Sequence, residues 1–125
     1  ALVNRSDYEK DERKRVADLH RAVTLFNHVL DMQDKYVLCY MNRSAAYYKL
    51  NAIDSMVSDL DMVNRLYPIY PSLPAMYYHA GVSYYEKKDY TKAAAALEAS
   101  LKLNPQSVEA RDVLSNVNKA MQSPQ

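Results

Sequence analysis

A chain of 125 residues, 49% hydrophobic and 25% charged, has room for one domain with a modest core and too little length for two. A net charge of +1 offers no field to gather nucleic acid or an acidic membrane. The one cysteine, Cys39, excludes an internal disulfide and suits a reducing, cytoplasmic compartment, and the single glycine, Gly81, leaves no glycine-rich phosphate loop. No apolar run reaches membrane-spanning length and no signal peptide opens the chain. Ala1 in place of Met suits a fragment of a longer protein. Twelve tyrosines stand against one phenylalanine and no tryptophan, a bias that needs a place in the fold.

The chain repeats itself. Sliding it by 37 residues lays Tyr40 on Tyr77, Ser44 on Gly81, Tyr47 on Tyr84, Met56 on Ala93, Leu60 on Leu97 and Pro68 on Pro105. A slide of 34 from the first third lays Ala22 on Met56, Phe26 on Leu60 and Val29 on Val63, so the three extra residues fall just after Pro68. One unit therefore occurs about two and a half times.

The elements follow in chain order. Residues 6–32 read as one helix: its first half is charged, with Tyr8 alone apolar up to Arg15, and its second half carries a seam of Val16, Leu19, Val23, Phe26 and Leu30. A second helix spans 35–50 and ends near Asn51, a residue tolerant of left-handed geometry. A third spans 53–66, with Met56, Leu60 and Val63 inward. Asp59 and Asp61 flank Leu60 and read as solvated. Leu60→Ala should cost about 2–5 kcal/mol if that register is right. A fourth helix covers 73–87, where Tyr77, Ala80, Gly81 and Tyr84 share one face, and Asp89 caps a fifth over 89–103, stopped by Asn104-Pro105. Gly81 or Ser44 on one helix and Ala93 on its partner permit close approach. Ser107 caps a sixth over 107–121, apolar through Ala110, Val113, Leu114 and Val117 and polar on its other face, and the tail from Gln122 to Gln125 reads as loose.

The series Tyr77-x-x-Ala80-Gly81-x-x-Tyr84, Ala93-x-x-x-Leu97, Leu103-Asn104-Pro105 resembles the tetratricopeptide repeat, and Met41-Asn42-Arg43-Ser44-Ala45-Ala46-Tyr47 is similar to repeats of co-chaperone-like proteins. The resemblance implies an all-α, antiparallel helix-pair solenoid. It would form a single domain over 1–125, with a partial first repeat and polar extension at 1–36, a second repeat at 37–73, a third at 74–106 and a capping helix at 107–121.

Chemistry of other kinds finds little support. His20, His28 and His79 form no His-x-x-x-His pair and Cys39 has no second cysteine, so neither a metal nor another cofactor is expected. Nothing assembles a nucleophile, a base and an oxyanion donor, so the chain reads as a non-catalytic module that binds a protein or peptide, with no role for nucleic acid or a membrane.

In the family that the repeats resemble, the first helix of each pair lines a concave groove. That register assigns to it Leu38, Met41, Asn42, Ala45, Tyr48 and Lys49 from the middle unit, and Ala75, Tyr78, His79, Val82, Tyr85 and Glu86 from the last. Tyr40, Tyr47, Tyr77 and Tyr84 take packing positions. Tyr48, Tyr78 and Tyr85, one residue further round, should present rings to a ligand, with Met41 and Val82 between them. A carboxylate clamp for a chaperone's acidic tail is the alternative. Asn42 fits one clamp position, while the clamp's first lysine and second asparagine fall on Asp7 and Asp11 and its other lysine and arginine on Ala75 and His79, so the cations that a carboxylate needs are absent. A further alternative is a structural module that stacks on more repeats or on a second copy through the N-terminal helix, whose Leu19, Val23 and Phe26 lack an evident cover.

Two smaller motifs stand apart. Pro68, Pro71 and Pro74 recur every third residue, as in a polyproline II ligand, but a stiff linker between units is the preferred reading. Asn4-Arg5-Ser6 and Asn42-Arg43-Ser44 match the glycosylation sequon and read as accidental.

Overall fold

A computed structural model describes residues 5–123, which hold six helices and no strand. They are α1 (Arg5–Met32), α2 (Val37–Lys49), α3 (Ile53–Leu66), α4 (Leu73–Glu86), α5 (Tyr90–Leu103) and α6 (Val108–Gln122). Asn4 of the first sequon and the last two residues of the tail lie outside the described residues. Each helix packs on the next in sequence, α2 with α3 and α4 with α5 as pairs, while α6 also reaches α4. Helices adjacent in sequence are thus adjacent in space, which is the geometry of a solenoid.

The apolar periodicity finds its buried side. Met56, Leu60, Val63, Leu73, Ala80, Ala93, Leu97 and Val117 are fully buried. Gly81 is needed where α4 crosses α5: a Cβ there would stand 2.6 Å from Leu97 Cγ and 3.4 Å from the Ala93 carbonyl oxygen. Ser100 Oγ donates to the Pro74 carbonyl at 2.8 Å and ties the same two helices near their other ends.

The turns are local chemistry. Asp89 accepts from the Lys92 amide and Ser107 from the Ala110 amide, each holding one of the first amides of its helix. Asn51 takes φ 60°, as its residue type suggests. Lys88 takes φ 63° at the matching turn of the last unit, where no sequence rule favours a lysine.

Three expectations need correction, and one alternative falls away. Asp59 is buried, not solvated: it receives a bidentate pair from Arg43, at 2.6 and 2.9 Å. Along the α1 seam only Leu30 is buried, and Val16, Leu19, Val23 and Phe26 are half-exposed, because among the described residues no helix lies over that side. The proline segment is no extended left-handed helix. The Tyr70 amide bonds back to Tyr67 O and the Leu73 amide to Tyr70 O, so two successive turns absorb the extra residues. Met41 is buried at 6% exposure and belongs to the core, because it sits inside the α2 packing face between Tyr40 and Ser44.

Candidate functional site

The site is built on α2 and α4, the first helices of the two complete pairs. Arg43 fixes α2 from below. Its Nη1 donates to Asn27 Oδ1 of α1 at 2.8 Å, its other two nitrogens hold Asp59 of α3, and its guanidinium lies 5.6 Å from the Tyr40 ring and 5.8 Å from the Tyr47 ring. Burial pushes the Asp59 carboxyl up while Arg43 pulls it down. The two short bonds keep it an ion pair, since the bidentate fork favours both charged forms. Cys39, buried beside this knot, has its thiol pushed up by burial. It is a core residue.

The tyrosines divide by face. Tyr40, Tyr77 and Tyr84 are buried and Tyr47 is half-buried. Their hydroxyls are used: Tyr40 donates to the Asp34 carbonyl at 2.6 Å, Tyr77 to Asp61 at 2.6 Å and Tyr84 to Asp54 at 2.5 Å. Burial, then the acceptor carboxylates, push the Tyr77 and Tyr84 hydroxyls far above the ordinary tyrosine range. These rings hold α4 to α3 and are not available to a ligand.

The remaining candidates lie on the other side. Tyr48 is 39% exposed and its ring centroid stands 5.7 Å from that of His79, which stands 5.6 Å from Tyr78. The three rings form a continuous strip from α2 to α4. Beyond Tyr78 and His79 opens a hollow of ≈ 270 Å³ with Pro74, Ala75, Asn104, Ser107 and Glu109 on its walls. Tyr78 is half-buried and His79 exposed. Tyr85 is half-buried and packs at 5.9 Å from Tyr90 of α5, so it stands apart from the strip. Val82 and Ala45 are half-buried, and Lys49, Glu86 and Ala75 are exposed. Asn42 is exposed and faces a different hollow, with Phe26 and Val29 of α1. Because α1 runs unbroken from Arg5 to Met32, Asp7 and Asp11 stand on its exposed N-terminal half and not on a separate groove-lining helix.

His79 is the member of the strip that periodicity alone did not single out as an aromatic bridge. Its place one residue after Tyr78, on the face of α4 that the repeat register assigns to the groove, was the available signal. Among the described residues no group of three or more potential metal ligands occurs, and no helix is long and apolar enough to cross a membrane.

Residues 74–107 match the tetratricopeptide repeat, the segment that contains Gly81, the α4–α5 crossing and the Asn104-Pro105 stop. Tetratricopeptide repeat protein 28 of Homo sapiens is 31% identical over 107 residues, and its Mus musculus counterpart 30% identical over 107. The alignments cover 86% of this chain and only 4% of those relatives. Among solved structures, the first tetratricopeptide domain of Spaghetti (RPAP3), bound to the HSP90 peptide SRMEEVD, superposes with a TM-score of 0.63 at 20% identity, over 93% of this chain and 90% of that one. MamA superposes with a TM-score of 0.65 at 17% identity, over 97% of this chain and 67% of that one. Residues 74–107 thus form a tetratricopeptide repeat, and the chain as a whole has the fold of an all-α helix-pair repeat solenoid.

Proposed function

We propose that this chain is a protein-interaction module that holds a peptide with apolar or proline side chains against the strip of Tyr48, His79 and Tyr78. The observation that carries the reading is the ring-to-ring continuity of those residues across two helices, at 5.7 and 5.6 Å, beside the hollow under Ala75 and Glu109. Rigid rings with polar tips offer contact area at little entropic cost. Similar solenoids carry peptides: the RPAP3 domain above with an HSP90 peptide, and the second human RPAP3 domain with the HSP70 peptide SGPTIEEVD. The hollow beside the strip has no lysine or arginine on its walls, so an acidic tail lying in it would meet no fixed cation.

Selection from a displayed peptide library tests the reading. The wild-type chain should enrich apolar or proline-containing sequences, and Tyr48→Ala should lose them without a drop in Tm, since Tyr48 is exposed. Enrichment of acidic peptides with a free C-terminal carboxylate would overturn it.

A further inference from the structure

We infer that the flank of α1 formed by Leu19, Ala22, Phe26 and Val29 is a docking site for a partner's amphipathic helix, one carrying a glycine at its centre with an aromatic four residues before and three after. This surface is separate from the aromatic strip, and the inference stands or falls without it.

The molecule's other helix pairs show what this face of α1 lacks. By the repeat register these four residues correspond to Ile53, Met56, Leu60 and Val63 of α3, which are at most 2% exposed. In α5 the last three correspond to Ala93, Leu97 and Ser100, again at most 2% exposed. What covers this face of α5 is α4: Gly81 lies against Leu97 and Ala93, and Ser100 bonds to Pro74. In α1 the same four positions are half-exposed, and Leu25 beside them is 64% exposed. Phe26 and Val29 wall a hollow of ≈ 160 Å³ that Leu38 and Asn42 of α2 close from the other side. The seam is therefore shaped by both neighbours that would flank a covering helix, and contiguous apolar surface of this kind marks an interaction site.

The same register gives the occupant its chemistry. Ala22 stands where Ala93 and its close backbone crossing occur in the last unit. Phe26, in the place of Leu97, is bulkier, so the crossing residue must be small, and glycine, as at Gly81, leaves the most room. The opposite end of the molecule does not supply such a helix. On α6, Arg111, Ser115 and Asn118 take the places of Tyr77, Gly81 and Tyr84 and are exposed, so head-to-tail stacking of copies would bury polar side chains on an apolar seam.

A synthetic peptide of residues 70–89 of this chain, which carries the α4 pattern, is the probe. Titrated into the full chain, it should raise Tm and slow amide exchange across Leu19 to Val29. A peptide with Gly81→Leu should do neither, and Ala22→Arg in the protein should abolish the effect while leaving its helix content unchanged. As a second measurement, residues 73–89 fused directly ahead of Leu19 should raise Tm through the same contacts. The inference is overturned if neither peptide nor fusion protects this flank. It is also overturned if the unmodified chain sediments as a dimer that Leu25→Glu makes monomeric, because a second copy would then be the occupant.

Discussion

The Tyr77 hydroxyl donates to the Asp61 carboxylate at 2.6 Å, and two turns along α4 the Tyr84 hydroxyl donates to Asp54 at 2.5 Å. The tyrosines are seven residues apart and so are the aspartates, counted in the opposite direction, so the pairs form two rungs between antiparallel helices. This is where part of the tyrosine excess goes. Phenylalanine would fill the same space and leave each carboxylate without its phenol donor.

The rungs give the first prediction. Tyr77→Phe should cost about 1.5 kcal/mol, the low end of the range for a hydrogen bond to a charged group, because the acceptor Asp61 is exposed. Urea titration should show it as a lower midpoint with an unchanged slope.

The second prediction concerns acid. The bond from Tyr84, then Lys92, holds the Asp54 carboxyl below its ordinary 3.8. A carboxylate depressed in the folded state contributes stability that is present above its unfolded value and fades as pH falls through the lower folded one. The Tm gap between wild type and Tyr84→Phe should therefore be full at neutral pH and shrink as pH falls below 3.8. A gap that grows in acid would contradict the assignment.

A third prediction tests the knot at Arg43. Asp59→Ala leaves a guanidinium at 19% exposure with only Asn27 to bond. The loss should be about 2–4 kcal/mol, the lower part of the range for a broken buried pair, because Arg43 keeps some access to water. Asp61→Ala, at an exposed position, should cost less. Thermal unfolding of the two variants side by side decides the order.

Gly81 supplies the fourth. Alanine there gains about 1 kcal/mol of helix propensity but forces Leu97 aside, which costs about 1–3 kcal/mol. Gly81→Ala should destabilise the wild type and become neutral or stabilising in a Leu97→Ala background. Equal effects in both backgrounds would mean that the helices do not meet there.

The residues that were legible from sequence act locally. Gly81, Asn51, Asp89 and Ser107 each announce a crossing, a turn or a cap through neighbours three or four positions away. Asp59 was not legible, because beside Leu60 it looks like a solvent-facing residue. Its partner Arg43 is sixteen residues away on another helix, and no periodicity links them. The α1 seam was legible as apolar, but a pattern says which side faces inward and not whether anything covers it. The strip had the same limit: the groove face was legible at Tyr48, Tyr78 and Tyr85, but not that the Tyr85 ring packs on Tyr90 across the short turn into α5.

The central claim is that a ligand is read by Tyr48, His79 and Tyr78. The direct measurement is an NMR titration of the full chain with a peptide from the library selection, following the ring and backbone resonances of α2 and α4. The account predicts that the largest shifts map to those three residues and to Ala75 and Glu109 around the adjoining hollow. Shifts confined to the opposite side, at Asp54, Asp61 and Lys92, with the strip unmoved, would contradict it.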